Sequence, residues 1–297
     1  MDVVSELVPL QDEDGNTLSL AAQVDDVEMA KKLLDANASV QVANKDSKTP
    51  LRLAVDKDHQ AMGNVVDAPK NSAVAIAAQN GDMMLLNKLI ASKAALNGHN
   101  TIGQTPLMHA SLSGHCSAVR ALVEARANVK ACDNEGFTAL AGAARRGHVE
   151  ILDILLASKA SIDVENGRNQ TPLMLAAHAG CVDAVQFLVD AHADVDACDV
   201  HGSTPLAIVS SKGLTNIVKI LVAATAALDV QSRSGETALI AAAAGGHADA
   251  VDILLDAGVD TDITSDDGAT ALDVAKAGNH MDIVEQLCKG KRQRECQ

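Results

Sequence analysis

The residues of this 297-residue chain best suited to metal binding are its ten histidines and six cysteines. His109, His115 and Cys116 lie within one short stretch, and Cys198 lies three residues before His201. Structural zinc sites draw their ligands from pairs of cysteine and histidine at short, repeated spacings. Because neither spacing recurs as such a pair, the sequence predicts no metal site and no other cofactor.

The chain also lacks the groupings that catalysis requires. An enzyme site would place a nucleophile beside a base, pair two carboxylates on one face, or hold phosphate in a glycine-rich loop. The Gly245-Gly246 pair is instead typical of a helix end. The acidic series from Asp256 to Asp267 lacks the residue order and the terminal glutamate of a calcium-binding EF-hand loop. We therefore predict no catalytic and no cofactor-binding residues, and no enzyme.

Composition narrows the class of partner and the compartment. The formal net charge is −15, whereas a general nucleic-acid binder needs a surplus of Lys and Arg. The acidic stretch Met1 to Asn16 is unlike the basic start of a signal peptide. The most apolar stretch, Leu206 to Val230, is interrupted by Lys212 and Lys219, which argues against a membrane span. We expect an intracellular protein with reduced thiols, cytoplasmic first and nuclear as the alternative, with no nucleic-acid partner and no membrane insertion.

The chain contains an internal repeat. The repeat explains the spacing of the recurring residue types within each unit, such as threonine and glycine, better than any site chemistry does. Its period of 33 residues is marked by Thr105, Thr138, Thr171, Thr204, Thr237 and Thr270. A glycine stands two residues before the threonine in five of the six copies, and a glycine stands nine residues after it in five of the six. Threonine suits a helix N-cap, proline fits the first helical turn, and glycine suits the left-handed turn after a helix. Each unit is therefore predicted as a short helix, a turn, a second helix and an extended exit.

Five of the ten histidines share one position of the repeat, ten residues after its threonine. They are His59, His115, His148, His247 and His280. Because the position begins the second helix of each unit, the recurrence indicates a structural role.

The pattern of Gly-x-Thr-Pro-Leu, paired Ala, Gly-His and Leu-Leu at this period resembles the ankyrin repeat. The resemblance covers nearly the whole chain and implies an all-α repeat solenoid. In that fold, helix-turn-helix units stack and β-hairpin-like turns project from them. Nine units are predicted, beginning near Asn16, Thr49, Ser72, Thr105, Thr138, Thr171, Thr204, Thr237 and Thr270.

The predicted organisation has three parts. Residues 1–10 form a lead-in, residues 11–288 form a single ankyrin-repeat domain, and residues 289–297 form a short basic tail. The second repeat is expected to be truncated near residues 59–71, because the step from Thr49 to Ser72 is 23 residues instead of 33. We expect a turn to be missing there.

The resemblance implies that partners bind the projecting turns and the exposed ends of the first helices, which line the concave face of such a solenoid. The candidate protein-binding residues at these positions are Asn134, Glu135, Phe137, Arg145, Arg146, Arg168, His178, His201 and Lys212. They form a basic cluster on an acidic protein. Phe137 is expected to be exposed, and an exposed aromatic beside arginine is typical of a binding hot spot. Phe187, the other phenylalanine, is expected on a buried helix stripe.

An alternative interpretation of the same residues is structural. Arg168 would pair with Glu135, Arg145 and Arg146 would be solvated, and Phe137 would lie against its own turn.

The sequence thus predicts a non-enzymatic protein–protein interaction module or scaffold that binds another protein through its concave face and projecting turns. We expect a monomer outside any larger assembly. The alternative is a structural subunit of a larger assembly that uses its convex or acidic C-terminal surface. A small-molecule binder is disfavoured, because the sequence indicates no enclosed apolar pocket.

Overall fold

A computed structural model of the chain describes residues 17–24, 26, 28–30, 49–50, 53 and 73–294, apart from the side chains of residues 17, 20 and 290–294. The chain divides into two compact units, an N-terminal unit of residues 1–134 and a C-terminal unit of residues 135–297. The truncation predicted near residues 59–71 lies outside the described residues, as do the lead-in and most of the first two predicted repeats. The single domain predicted over residues 11–288 stays a prediction.

Five helices with defined bounds are described in the N-terminal unit. They are α1 (Thr17–Val24), α2 (Ala73–Asn80), α3 (Met83–Ala91), α4 (Pro106–Ser113) and α5 (Cys116–Glu124). Helix α2 packs on α4 and α3 packs on α5, so that first helices stack on first helices and second helices on second helices.

Ten helices with defined bounds are described in the C-terminal unit, two in each of five repeats. They are α6 (Ala139–Arg146), α7 (Val149–Ala157), α8 (Pro172–Ala179), α9 (Val182–Asp190), α10 (Pro205–Ser211), α11 (Thr215–Ala223), α12 (Ala238–Ala244), α13 (Ala248–Asp256), α14 (Ala271–Ala277) and α15 (Met281–Arg294). The even-numbered helices from α6 to α14 pack in one row, and the odd-numbered helices pack in a second row. This arrangement confirms the predicted all-α repeat solenoid. Helix α15 continues past residue 289, where the basic tail was predicted to begin.

The first helix of each repeat begins and ends as the repeat pattern predicts. The side-chain oxygen of Thr138 accepts a hydrogen bond from the N–H of Ala141 at 3.2 Å, and the same N-cap bond recurs in the four repeats that follow. The glycine after the helix has a left-handed φ, which is +74° at Gly147. In the last repeat Asn279 takes this position with a φ of +60°, and asparagine is the residue that tolerates the left-handed region best after glycine. These two signals set the bounds of every first helix in the unit.

The core is made of small and aliphatic side chains. Alanine pairs such as Ala143 and Ala144 are fully buried between first helices, and their small size lets the helix backbones approach closely. Leucine and isoleucine form the buried face of the second helices, as Leu152 and Leu155 do in α7. The prediction that Phe187 lies on the buried stripe is wrong: Phe187 is only half-buried, because the neighbouring Ala184, Val185 and Leu188 turn the apolar face of α9 away from it.

In four repeats a side chain near the start of the second helix bonds to a backbone carbonyl of the repeat before it and so ties the two together. The acceptor is always the carbonyl seven residues after the repeat's threonine. In the N-terminal unit Nε2 of His115 lies 2.9 Å from the carbonyl oxygen of Gln79, and in the C-terminal unit Nε2 of His247 lies 3.0 Å from that of Ser211. These bonds confirm a structural role for two of the five recurring histidines.

The repeats in which the recurring histidine is replaced keep the same tie with other donors. The thiol of Cys181 donates to the carbonyl of Arg145 at 3.8 Å. In the next repeat Leu214 has no donor, and Nζ of Lys212 donates to the carbonyl of His178 at 2.7 Å. The tie is thus maintained by His, Cys or Lys.

Acidic side chains make a second set of ties at the exits from the second helices. Carboxylate oxygens of Asp163, Asp196 and Asp229 accept hydrogen bonds from backbone N–H groups 31 residues further on, at 2.8 to 3.0 Å. These carboxylates therefore have a structural function within the repeat stack.

Candidate functional site

The projecting turns of the C-terminal unit are aligned by one backbone hydrogen bond between each turn and the next. The carbonyl of Glu135 accepts from the N–H of Gly167 at 2.7 Å, and the carbonyl of Arg168 accepts from the N–H of Val200 at 3.0 Å. The same bond joins His201 to Arg233 at 2.8 Å. Glu135, Arg168 and His201 occupy the same position of successive repeats, so the bonds arrange their side chains as a row.

Each turn is held in shape by a polar side chain five residues before the repeat's threonine. In the turn that carries Arg168 this residue is Asn166, which is 95% buried, since 5% of its surface is exposed. Its Oδ1 accepts hydrogen bonds from the N–H of Arg168 at 2.9 Å and of Gln170 at 3.0 Å, and its Nδ2 donates to Oε1 of Gln170 at 3.1 Å. The backbone of Arg168 is thereby fixed.

A cavity of about 600 Å³ lies between the first two turns of the C-terminal unit and the ends of α6 and α8. We call it the turn groove. It is lined by Glu135, Phe137, Arg145, Asn166, Gly167, Arg168, Gln170, Leu175, His178 and Ala179. Leu175 is buried, while Arg145, Arg168 and His178 are exposed. The groove therefore combines an apolar residue at depth with exposed cationic groups.

The cationic groups act on one another. The pKa of His178 lies below its usual value of 6.5, first because partial burial disfavours the charged imidazole and then because the charges of Lys212 and Arg145 repel it. The bond from Lys212 to the carbonyl of His178 holds the ammonium group beside the ring. Like charges are thus concentrated at this face even though the whole chain is strongly acidic.

The structure brings five of the nine predicted binding residues into the turn groove: Glu135, Phe137, Arg145, Arg168 and His178. The other four lie outside its lining. Arg146 is exposed at the end of α6, His201 is exposed on the next turn, and Lys212 makes the backbone tie. Asn134 belongs to the N-terminal unit, where its Nδ2 donates to the carbonyl of Thr101 at 3.2 Å.

One point of the sequence interpretation changes with the structure. Phe137 is half-buried, not exposed as expected, although it does line the groove. The pairing of Arg168 with Glu135 stays a prediction.

The sequence interpretation missed the residues that shape the groove, above all Asn166 and Gln170. A signal for them exists. Asn, Asp or Ser stands five residues before the threonine of all six regular repeats: Asn100, Asp133, Asn166, Asp199, Ser232 and Ser265. These are the residue types whose side chains bond backbone N–H groups two and four residues ahead.

His109, considered above as a metal ligand, lies in the N-terminal unit, outside the turn groove. Its Nε2 is buried and has no hydrogen-bond partner within the described residues, and burial lowers the pKa of the ring from its usual 6.5. No three His, Cys, Asp or Glu side chains among the described residues are grouped so that they could hold a metal ion. The lowered pKa of His109 predicts that its protonation destabilises the fold.

We expect His109 to make the chain less stable in mild acid. Folding lowers its pKa, so the unfolded chain binds the proton more readily, and the stability given by the neutral ring is complete above pH 6.5 and lost as the pH falls. The midpoint of urea unfolding should fall more between neutral pH and about pH 5 in the wild type than in His109→Gln. The matched control is His99→Gln at an exposed histidine. Equal pH dependence in wild type and His109→Gln would contradict the prediction.

These features define a helical repeat protein with a polar groove formed by equivalent positions of successive units. The chain belongs to the ankyrin-repeat family: a model of ankyrin repeats, in three copies, matches residues 74–166, 159–234 and 209–295. The family predicted from the repeat pattern is therefore confirmed. Proteins of this family are in general protein–protein interaction modules.

Solved structures agree with this family. The crystal structure of the ankyrin repeat domain of Bcl-3, described as a unique member of the IkappaB protein family, is 28% identical with a TM-score of 0.65. That match covers 72% of this chain and 98% of the other. The ankyrin repeat domain of human ASB11 is 24% identical with a TM-score of 0.65, covers 71% of this chain and 98% of its own, and shows the fold alone. No curated protein matches the chain.

No helix among the described residues has the length and apolar character needed to cross a membrane.

Proposed function

We propose that the chain is a non-enzymatic scaffold that binds a partner protein through the turn groove of its C-terminal unit. The observation that carries this proposal is the convergence of Phe137, Arg145, Arg168 and His178 on one cavity from two successive repeats. Aromatic residues and arginine are the types most enriched in the hot spots of protein interfaces. A cytoplasmic location goes with this proposal.

The turn groove is better suited to a partner than the acidic exits of the second helices are. Carboxylates at those exits, including Asp163, Asp196 and Asp229, already accept backbone hydrogen bonds inside the stack. In contrast, the guanidinium groups of Arg145 and Arg168 are exposed and line a cavity. The alternative is a structural subunit of a larger assembly that docks through its convex or acidic C-terminal surface.

The proposal is tested with a partner isolated from native cells by affinity purification and then purified. We expect Phe137→Ala and Arg168→Glu each to weaken its binding, measured by calorimetry with the full chain, by about tenfold or more, because hot-spot residues contribute at least this much. The matched control is Asp183→Lys, a charge reversal at an exposed residue of α9.

Circular dichroism and the urea midpoint establish that each variant is folded. Unchanged binding in both folded groove variants would contradict the proposal. A loss confined to Asp183→Lys, with crosslinks on the second helices, would favour the structural-subunit alternative.

A further inference from the structure

The charges around the turn groove are unlike those of the rest of the molecule. The chain carries 39 acidic and 24 basic residues other than histidine, yet the residues lining the groove include two arginines, one histidine and a single acid, Glu135. Lys212 adds a further positive charge close enough to depress the pKa of His178. A partner group that enters the groove therefore meets net positive charge.

The two arginines come from different parts of the fold, which suits them to hold one group together. Arg168 is on a turn whose backbone is fixed by Asn166, and Arg145 is in the last turn of α6, where its carbonyl is tied by Cys181. A guanidinium presents a planar set of donors that matches a carboxylate. Backbones held in this way leave only side-chain freedom to be lost on binding.

The size and depth of the groove indicate which kind of partner residue lies next to the charged residue. A cavity of about 600 Å³ has the volume of a site for a few residues of extended peptide. Leu175 is buried in its lining and Phe137 is half-buried, so an apolar side chain beside the charged one would be covered.

Resting on the function proposed above, we infer that the turn groove recognises an aspartate or glutamate in an extended segment of the partner, next to an apolar residue. The carboxylate is held by Arg145 and Arg168, and the apolar side chain contacts Phe137 and Leu175. Guanidinium groups also bind phosphate, so a phosphorylated side chain is the competing ligand, and the peptide experiment below distinguishes it from a carboxylate.

His178 makes this recognition dependent on pH. The charged and titratable groups around it are Lys212, Arg145, Arg168 and Glu135. A bound carboxylate would raise the lowered pKa of the ring, so binding takes up protons and affinity rises as the pH falls below neutral. Replacing His178 by Gln removes this dependence and leaves both arginines in place.

The inference is tested by selecting binders to the full chain from a display library of short random peptides. We expect the selected peptides to be enriched in Asp or Glu beside an apolar residue. A fluorescein-labelled copy of the most enriched peptide is then the probe, together with versions in which its acidic residue is replaced by Gln or phosphoserine.

Fluorescence polarisation should show at least about a tenfold loss for the Gln peptide and for Arg168→Glu, the effect expected when a charge-assisted hydrogen bond is removed. The matched control is Arg233→Glu, an exposed arginine on a later turn of the same unit, which should leave affinity unchanged. Affinity for the acidic peptide should rise from neutral pH to mild acid, and this rise should be absent in His178→Gln.

The outcomes separate this inference from the proposed function. Peptides that require Phe137 but show no acidic enrichment and no effect of Arg168→Glu would overturn the inference and leave the groove as a binding site. Tighter binding of the phosphoserine peptide would also overturn it. Peptides that bind equally well to Phe137→Ala and Arg168→Glu would contradict the proposed function itself.

Discussion

Replacing Gly235 by alanine is expected to destabilise the C-terminal unit by roughly 3 kcal/mol, from left-handed strain of about 1–2 kcal/mol and overpacking of about 1–3 kcal/mol. Gly235 has a φ of +74°, and an added Cβ would lie 2.6 Å from the backbone nitrogen of Asp266 in the next turn. That nitrogen makes the bond from turn to turn with the carbonyl of Ser234. The clash therefore acts on the alignment of the turns, and it is measured by the shift of the urea midpoint.

Gly268 provides the matched control for this prediction. It occupies the same position in the last repeat with a φ of +76°, but an added Cβ would have nothing within 4 Å. Gly268→Ala should therefore show the conformational strain alone, about 1–2 kcal/mol. Equal losses in the two variants would mean that the close approach of the next turn contributes nothing.

A second large effect is expected for Asn166→Ala. The change removes the acceptor for the N–H groups of Arg168 and Gln170 and the donor to the Gln170 side chain, all at a residue that is almost fully buried. Two backbone donors left without partners cost about 1–3 kcal/mol each, so we expect a loss of roughly 3 kcal/mol. Because Arg168 is positioned by these bonds, affinity for the acidic probe peptide should fall with stability.

Asn166→Asp separates the backbone hydrogen bonds that the Asn166 side chain accepts from the hydrogen bond that it donates to the Gln170 side chain. The next repeat has Asp199 at this position, where its carboxylate accepts from the N–H groups of His201 and Ser203 at 2.8 and 3.0 Å. The aspartate variant should therefore retain most of the stability and lose only the bond to the Gln170 side chain. If Asn166→Ala were as stable as Asn166→Asp, the backbone bonds would not be what fixes this turn.

The helices could be predicted from the sequence because each depends on local signals that recur in phase. The threonine N-cap and the glycine after the helix act on residues within one turn of themselves, so a 33-residue period is sufficient to locate them. The same phase argument placed Glu135 and Arg168 at one exposed position of the repeat and His178 at another. It could not show that they share a cavity, because the groove depends on the depth of Leu175 and the shape of the Asn166 turn.

The sequence did not predict side-chain exposure and hydrogen bonding where these depend on a neighbouring repeat. Phe137 and Phe187 are both half-buried, and the exposure of a large side chain depends on the volumes packed around it, which the period does not contain. Lys212 as a binding residue stays a prediction; the period alone did not show that its ammonium group donates to the carbonyl of His178 in the repeat before. That bond follows from the missing donor at Leu214, two residues away.

The carbonyls of Arg145, His178 and Ser211 accept from a thiol, an ammonium and an imidazole respectively. These three repeats share a donor to the carbonyl, although the residue that supplies it differs. Substitutions at the eighth and tenth positions after the threonine should therefore covary: a lineage that loses histidine or cysteine at the tenth should carry a long cationic side chain at the eighth.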